Sequence, residues 1–431
     1  MKVLVLAHRV PYPPNKGEKI RTFNQIQFLR KQEYNVVIAT PLENSEERSF
    51  ANTLAQKYGI EFLFAQLGSK GQRIASGLFN GTSLSVSNFY NARLENKIQD
   101  YIEAEAPDVL FCTSSAMARY VFSPLIFQAI KRTNVRLVMD FMDLDSQKWR
   151  EYSEIKPWPR SAIYAREARL VADLEEQVLE NFDASIFVSG EEKELIEKST
   201  STTHVVANGV DLEQFYPARE KSSDPLGKAT LKAIAKNNAP VFLFSGVMDY
   251  FPNEQAVEWF VKDVWPQVKA NYPDAEFIIA GMKPSNKTRL LARVDGITVT
   301  GFVEDMLPYY HRADIFVAPF QIARGLQNKV LQAMACELPV ISTSKGATGI
   351  STTPGQHLLI ADLPKDFVSA IDRLLEDKTL YQKLQVAGRQ LIRQTFSWRA
   401  QNAILSSILF GSDVKPSRRL RLVSGRRTSS A

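Results

Sequence analysis

The sequence predicts an α/β protein made of two successive parallel-sheet halves, and three observations predict it. Short apolar runs closed by turn residues recur in both halves, as buried parallel strands do. They are Val3–Leu6, Val36–Thr40, Val109–Thr113 and Leu137–Asp140 early, then Val241–Ser245, Glu276–Ala280, Ile315–Ala318 and Val340–Ser342 late. Stretches of helical periodicity alternate with these runs, the order that builds β-α-β units. Between the two series, Glu220–Ala239 is polar and broken by Pro225 and Gly227, which reads as a linker and the helix leading into the second half. At 431 residues the chain is also too long for one ordinary core.

The first half opens with MKVLVLAHRVPYPP, where only four apolar residues precede His8 and Arg9. This is expected to be a first strand and not a signal peptide. Three prolines then fix an extended loop, and Asn15–Gly17 turns into a helix with Ile20, Phe23, Ile26 and Phe28 or Leu29 facing inward. No Gly-x-Gly-x-x-Gly occurs at this turn, so a dinucleotide fingerprint is excluded. Lys16, Lys19 and Arg21 make the loop basic, as suits a phosphate-bearing ligand, although Gly17 would be needed for the turn alone. Glu61–Phe64 is a third strand. Gly71–Leu94 is polar, with Leu78, Phe79, Phe89 and Tyr90 scattered through it, and its pattern assigns no firm element. Those side chains either form an exposed apolar surface or belong to the core. The strand Leu137–Asp140 runs into MDFMDLDSQKW, with Asp140, Asp143 and Asp145 clustered at its carboxyl end. Three carboxylates in six residues suit either a divalent cation or the orientation of a ligand's hydroxyls, and the second reading is preferred. Ser161–Phe182 is a long charged helix, followed by a strand at Ala184–Ser189.

In the second half Gly246 and Pro252–Asn253 put a backbone-rich turn after the strand Val241–Ser245. Ile297–Thr300 is a strand followed by Gly301–Phe302. Ile315–Pro319 is a buried strand, and a polar turn with Arg324 and Gly325 leads to a helix over Leu326–Cys336, which Pro339 stops. The unpaired N–H groups of a helix start at the carboxyl end of a parallel sheet form an anion site. With Arg324 on the turn and Lys329 and Gln332 on one helical face, the stretch suits a ligand with a diphosphate and a diol. The plainer alternative is that both cations solvate an exposed face. A strand at Leu358–Ile360 and helices at Asp366–Leu375 and Leu380–Thr395 complete the half.

Composition narrows the class. The 45% hydrophobic and 23% charged shares are those of a soluble globular protein. Cys112 and Cys336 fall within apolar elements, and none of the four histidines is paired at ligand spacing, so neither a disulfide nor a His-based metal site is expected. No apolar run is long enough to span a membrane. The net charge of +6 is all carried by six Lys and Arg in residues 414–431, a tail expected to be disordered and able to touch an anionic membrane surface. Simple solubilisation explains that tail equally well. No specific nucleic-acid partner is expected.

The motif RGLQNKVLQAMACELPV resembles the donor-site helix of family-4 retaining glycosyltransferases of GT-B fold, whose pattern ends in E-A-M-A-x-G-x-P-V. It looks closest to a subgroup associated with exopolysaccharide and PEP-CTERM loci. PYPPNKGEKIRT, GVMDYFPN and the NGVD…F…P run of residues 208–217 resemble further patterns of that family. Two departures stand out. The family's paired glutamates fall on Arg324 and Gln332, and the helix-closing glycine is Glu337. A GT-A-type Asp-x-Asp metal motif is formally present at Asp143–Asp145, but the doubled α/β chain argues against that fold.

The resemblance implies two Rossmann-like domains facing across a cleft. The expected divisions are an acceptor-side domain over 1–217, a donor domain over 218–395, a helix over 396–411 crossing back, and a tail over 412–431. It implies a nucleotide-sugar donor, a lipid-linked or saccharide acceptor, retention of configuration, no metal or other cofactor, and a cytoplasmic location peripheral to the inner membrane face. Arg324 and Lys329 are the expected leaving-group stabilisers, and Asp143 the retained carboxylate of the family's His-Asp pair, with Met142 in the histidine's place. Gly17, Gly246, Asn253, Phe302, Gly325, Leu326 and Gln332 are the expected donor contacts. Lys16, Lys19, Arg21, Asp140 and Asp145 are the expected acceptor-side residues. A sugar-nucleotide epimerase of similar fold, or a catalytically weakened binding subunit, are the alternatives.

Overall fold

The computed structural model describes residues 1–196, 202–218, 239–323 and 325–411. Arg324, nearly all of the linker and the basic tail therefore lie outside the described residues. The chain divides into two units: residues 1–206 with the segment from Asn402 onward, and Ala207–Gln401.

In the first unit β1 (Lys2–Ala7), β2 (Asn35–Leu42), β3 (Glu61–Gln66), β4 (Val109–Thr113), β5 (Arg136–Asp140), β6 (Ala184–Phe187) and β7 (Thr203–Val205) form one sheet. Its order is β3-β2-β1-β4-β5-β6-β7, and every pairing is parallel. In the second, β8 (Val241–Ser245), β9 (Glu276–Ala280), β10 (Ile297–Gly301), β11 (Ile315–Ala318), β12 (Val340–Ser342) and β13 (Leu359–Ile360) are ordered β10-β9-β8-β11-β12-β13, again all parallel. Parallel strands covered by helices on both faces must be apolar throughout, and β1, β4, β8 and β11 are nearly or wholly buried. Each sheet thus has a doubly wound order, with the reversal between β1 and β4 in one and between β8 and β11 in the other. Ligands of such sheets sit beyond the strands' carboxyl ends at that reversal.

The structure adds to the sequence reading in some places and departs from it in others. The run of residues 208–217, expected to close the first half, belongs to the second: Val210 bridges Ser397, and Phe215 packs edge-on against Tyr310. The segment expected to cross back is one helix, Trp398–Phe410, whose Leu405, Ile408 and Leu409 lie in the first unit's core, with Phe410 against Tyr34. Residues 71–94 resolve into the helices Lys70–Phe79 and Leu84–Ser87 and the start of Ala92–Glu105. The helix after β1, Gly17–Lys31, buries Arg21, Thr22, Gln25, Ile26 and Leu29, while Ile20, expected inside, is exposed. That helix faces inward with polar residues because a buried carboxylate waits for them there.

Candidate active site

At the reversal in the second sheet, the carboxyl ends of β8 and β11 deliver Phe244, Ser245 and Gly246 on one side and Phe320 on the other. The helix Asn328–Ala335 starts beside them, two residues later than expected, because Gln327 is still extended. Leu326 accordingly lies in the preceding loop, half-buried against the core. Lys329, the helix's second residue, extends its ammonium between two aromatic faces, 4.9 Å from the centroids of both Phe244 and Phe320. It donates to Asn253 Oδ1 at 2.5 Å, and Asn253 Nδ2 in turn donates to the Val247 carbonyl at 2.8 Å. An ammonium held by two rings and one amide has lost most of its water. Burial pushes the Lys329 pKa down to about 7.

Glycine is required twice in this wall. A Cβ on Gly246 would stand 2.8 Å from Asn253 Nδ2 and 2.9 Å from Lys329 Nζ, filling the space the lysine occupies. Gly281 has φ +150, and a Cβ there would overlap the Gly246 carbonyl oxygen at 1.7 Å. One turn along the same helix, Gln332 Oε1 accepts from the Tyr310 hydroxyl at 3.0 Å, and that hydroxyl lies 2.9 Å from Ser245 Oγ. Tyr310 spends its proton on Gln332, so Ser245 donates to Tyr310. The glutamine's carbonyl is thereby occupied and its N–H₂ end is the one left for a ligand oxygen.

The expected donor residues do not all converge. Gly246, Asn253 and Lys329 meet at one point, and Gln332 lies one helical turn away. Gly325, with φ +56, stands in open space on the turn, and Phe302, 70% exposed, follows β10. Gly17 lies in the first unit as the first residue of its helix, with nothing within 4 Å of where a Cβ would stand. Phe244, Phe320 and Tyr310 were missed by the sequence reading, where each reads as ordinary core.

At the first sheet's reversal the aspartate cluster separates into different roles. Asp140 is fully buried and holds Arg21 through two contacts, Nε–Oδ2 at 2.7 Å and Nη2–Oδ1 at 3.1 Å. Gln25 donates to the same carboxylate at 2.6 Å, and Arg21 also donates to the Val206 carbonyl at 2.8 Å. The expectation that Arg21 and Asp140 meet an acceptor is therefore corrected: they are an internal clamp out of a ligand's reach. The clamp has a use, because Asp140 Oδ1 also accepts from the Met142 backbone N–H at 3.2 Å. Met142 is held at φ 63, an uncommon backbone for a residue with a side chain, and this turns Asp143 outward. Asp143 is exposed, yet desolvation and then the charge of Asp145 raise its pKa. Asp145 is tied to Lys148. Lys19 is nearly buried over the Phe50 ring, with its pKa lowered by desolvation, whereas Lys16 is exposed.

Two groups there had no sequence signal strong enough to single them out. His8, at the end of β1, packs edge-on against Phe89, its Nδ1 has no hydrogen-bond partner among the described residues, and burial, then Arg9, pulls its pKa down to about 4. Glu192 is pushed up to about 7 by desolvation and then by Asp143. Among the described residues no three His, Cys, Asp or Glu side chains are grouped to hold a metal ion, and no helix is long and apolar enough to cross a membrane.

Comparison with known proteins meets this geometry in the second unit. Residues 239–377 match the family model described as Glycosyl transferases group 1. A putative glycosyltransferase of Bacillus subtilis, YtcC, is 25% identical over 257 residues, covering 54% of this chain and 62% of the relative. A GDP-mannose-dependent phosphatidylinositol monomannoside mannosyltransferase of Corynebacterium glutamicum is 28% identical over 224 residues, covering 49% and 57%. The chain thus spans little more than half the length of these relatives. The crystal structure of Anabaena Alr3699/HepE in complex with UDP and glucose superposes over 95% of this chain and 99% of its own, with TM-score 0.61 at 15% identity. The two-unit α/β fold is the GT-B fold.

Proposed function

We propose that this chain is a glycosyltransferase that moves a sugar from a nucleotide-diphosphate donor to a saccharide or lipid-linked acceptor, with retention, in the assembly of a surface polysaccharide. The observation that carries the reading is Lys329: a cation enclosed by Phe244, Phe320 and Asn253 at the switch point of a parallel sheet, beside a helix start. Bringing a charge into such a place costs stability unless an anion completes it. In sugar transfer, negative charge develops on the departing diphosphate, and donors preorganised around that position lower the barrier most. The GDP-mannose-dependent relative and the UDP complex of a structural neighbour are consistent with such a donor. Arg324 is assigned the second leaving-group contact on its place in the sequence alone. Asp143, with its raised pKa and outward turn, is assigned to the acceptor hydroxyl. No protein nucleophile is required when the leaving phosphate takes the acceptor's proton on the same face. The location proposed is the cytoplasmic face of a membrane, with no metal in the reaction.

The test is incubation of the chain with a panel of nucleotide sugars. Release of the nucleoside diphosphate, with NMR of the product's anomeric configuration, supports the reading if configuration is retained. Epimerised donor with no diphosphate released overturns it.

Gln332 offers a sharper probe of the donor pose. In Gln332→Glu one carboxylate oxygen still accepts from Tyr310, and the other presents an ionised acceptor to the ribose diol. Charge-assisted hydrogen bonds are about twice as strong as neutral ones. The donor KM is expected to fall roughly three- to thirtyfold, a gain of about 1–2 kcal/mol. Gln332→Ala should raise KM instead. A donor lacking the ribose hydroxyls should be bound alike by glutamine and glutamate, and an equal gain for both donors would place the ribose elsewhere.

A further inference from the structure

The first unit contains a hollow, lined mainly by residues with polar groups, that none of the roles above uses. It has a volume of about 340 Å³ and is walled by the helices Lys70–Phe79 and Leu84–Ser87 and by Tyr90 and Arg119. Its position is that of a ligand site. Glu43, which holds Arg73 in the wall, directly follows β2, and Phe89 beside Tyr90 packs on His8, which directly follows β1. The hollow therefore lies near the carboxyl ends of the sheet's strands.

We infer that this hollow binds a saccharide carrying one negative charge, a phosphate or a carboxylate, as part of the acceptor. Its role as an acceptor site rests on the function proposed above; the binding itself does not. The charge of the wall sets the sign of the ligand. Arg73 is neutralised by Glu43, at 2.6 and 3.0 Å, and also donates to the Asn88 carbonyl at 2.6 Å. Its Nε, on a side chain only 7% exposed, is buried with no partner among the described residues. Arg119 has its guanidinium over the Tyr90 ring, 5.6 Å from the centroid, and makes no hydrogen bond or ion pair among the described residues. Tyr90 donates to Glu95, and burial, then that hydrogen bond, push its pKa up to about 12, so it stays neutral. Arg119 is thus a lining cation with no carboxylate partner among the described residues, and no carboxylate lines the space.

The rest of the wall sets the ligand's class. Gln72 spends its carbonyl on the Ser69 N–H, leaving its amide N–H₂, while Asn80 spends an N–H on Ser76 Oγ, leaving its carbonyl. Donors and acceptors set side by side suit hydroxyls, each of which does both. Val86 and the Tyr90 ring add the apolar contact that the C–H face of a sugar ring takes. The volume is at the small end for ligand sites, enough for one or two sugar rings.

The experiment titrates the full chain with glucose 6-phosphate, glucuronate, glucose and inorganic phosphate, by calorimetry, in the wild type, Arg119→Gln and Arg119→Lys. The charged sugars are expected to bind at least about tenfold tighter than glucose or phosphate. Arg119→Gln should lose that margin, and Arg119→Lys should keep part of it. Donor hydrolysis, read in parallel, should be unchanged in both variants and reports independently on the proposed function. Vesicles containing phosphatidylinositol distinguish the source: Arg119-dependent vesicle binding marks a lipid head group, and its absence beside soluble-sugar binding marks a free saccharide. Phosphate binding as tightly as glucose 6-phosphate, or Arg119→Gln binding charged sugars as the wild type does, overturns the inference.

Discussion

Lys329→Ala is expected to lower sugar-transfer turnover by about a hundredfold or more, the usual consequence of removing one preorganised contact to developing charge. Lys329→Met, which keeps the stem between Phe244 and Phe320, should lose as much, separating the charge from the packing. The lowered pKa adds a pH signature. Burial disfavours the Lys329 cation and pulls its pKa down to about 7, so its charge is lost as pH rises through the neutral range. Donor diphosphate binds the protonated form, and kcat/KM for the donor should therefore fall as pH rises above about 7. Lys329→Arg keeps its charge throughout that range and should flatten the falling limb. Unchanged turnover in folded Lys329→Met would remove the lysine from the chemistry.

The largest stability effect belongs to the clamp in the first unit. Arg21 is 2% exposed and Asp140 is not exposed at all, so removing one partner strands the other's charge in a low-dielectric interior. Arg21→Leu is expected to cost about 3–5 kcal/mol in denaturant unfolding. Arg21→Leu combined with Asp140→Leu should recover a large part of that, because the double replacement leaves no isolated charge. The double variant should still be impaired in transfer, since Met142 would lose the acceptor that holds its turn and Asp143 with it. A single substitution costing under about 1 kcal/mol would show that the pair is hydrated and not a clamp.

Most of the architecture was legible in the chain because both of its signals are local. Apolar runs of about five residues marked β1, β4, β5, β8, β9 and β11, with Ser, Gly or Pro closing β4, β8, β9 and β11, and helical spacing filled the intervals. The corner around Lys329 was partly legible for the same reason: Gly246 and Lys329 both follow strand ends, where sheets of this kind bind ligands. Its aromatic walls were not, since Phe244 and Phe320 have the apolar character any core position has, and only the fold shows that Lys329 runs between them. The Arg21–Asp140 pair joins residues 119 apart, which no local pattern reports. Reading Arg21 as ligand-facing followed composition, whereas its burial against Asp140 gives it an internal partner. The first-unit hollow was hidden because residues 71–94 pack as short helices whose inward residues are polar, the reverse of the pattern on which sequence reading depends.

The central claim is that the second unit holds a nucleotide diphosphate against Lys329. The direct measurement is calorimetric titration of the wild-type chain and Lys329→Met with UDP and GDP, and with the corresponding monophosphates, at pH 6.5. At least one diphosphate is expected to bind the wild type, and its monophosphate to bind much more weakly. Lys329→Met should lose about tenfold or more in affinity for the diphosphate and little for the monophosphate. A diphosphate that binds Lys329→Met as tightly as the wild type would contradict the claim.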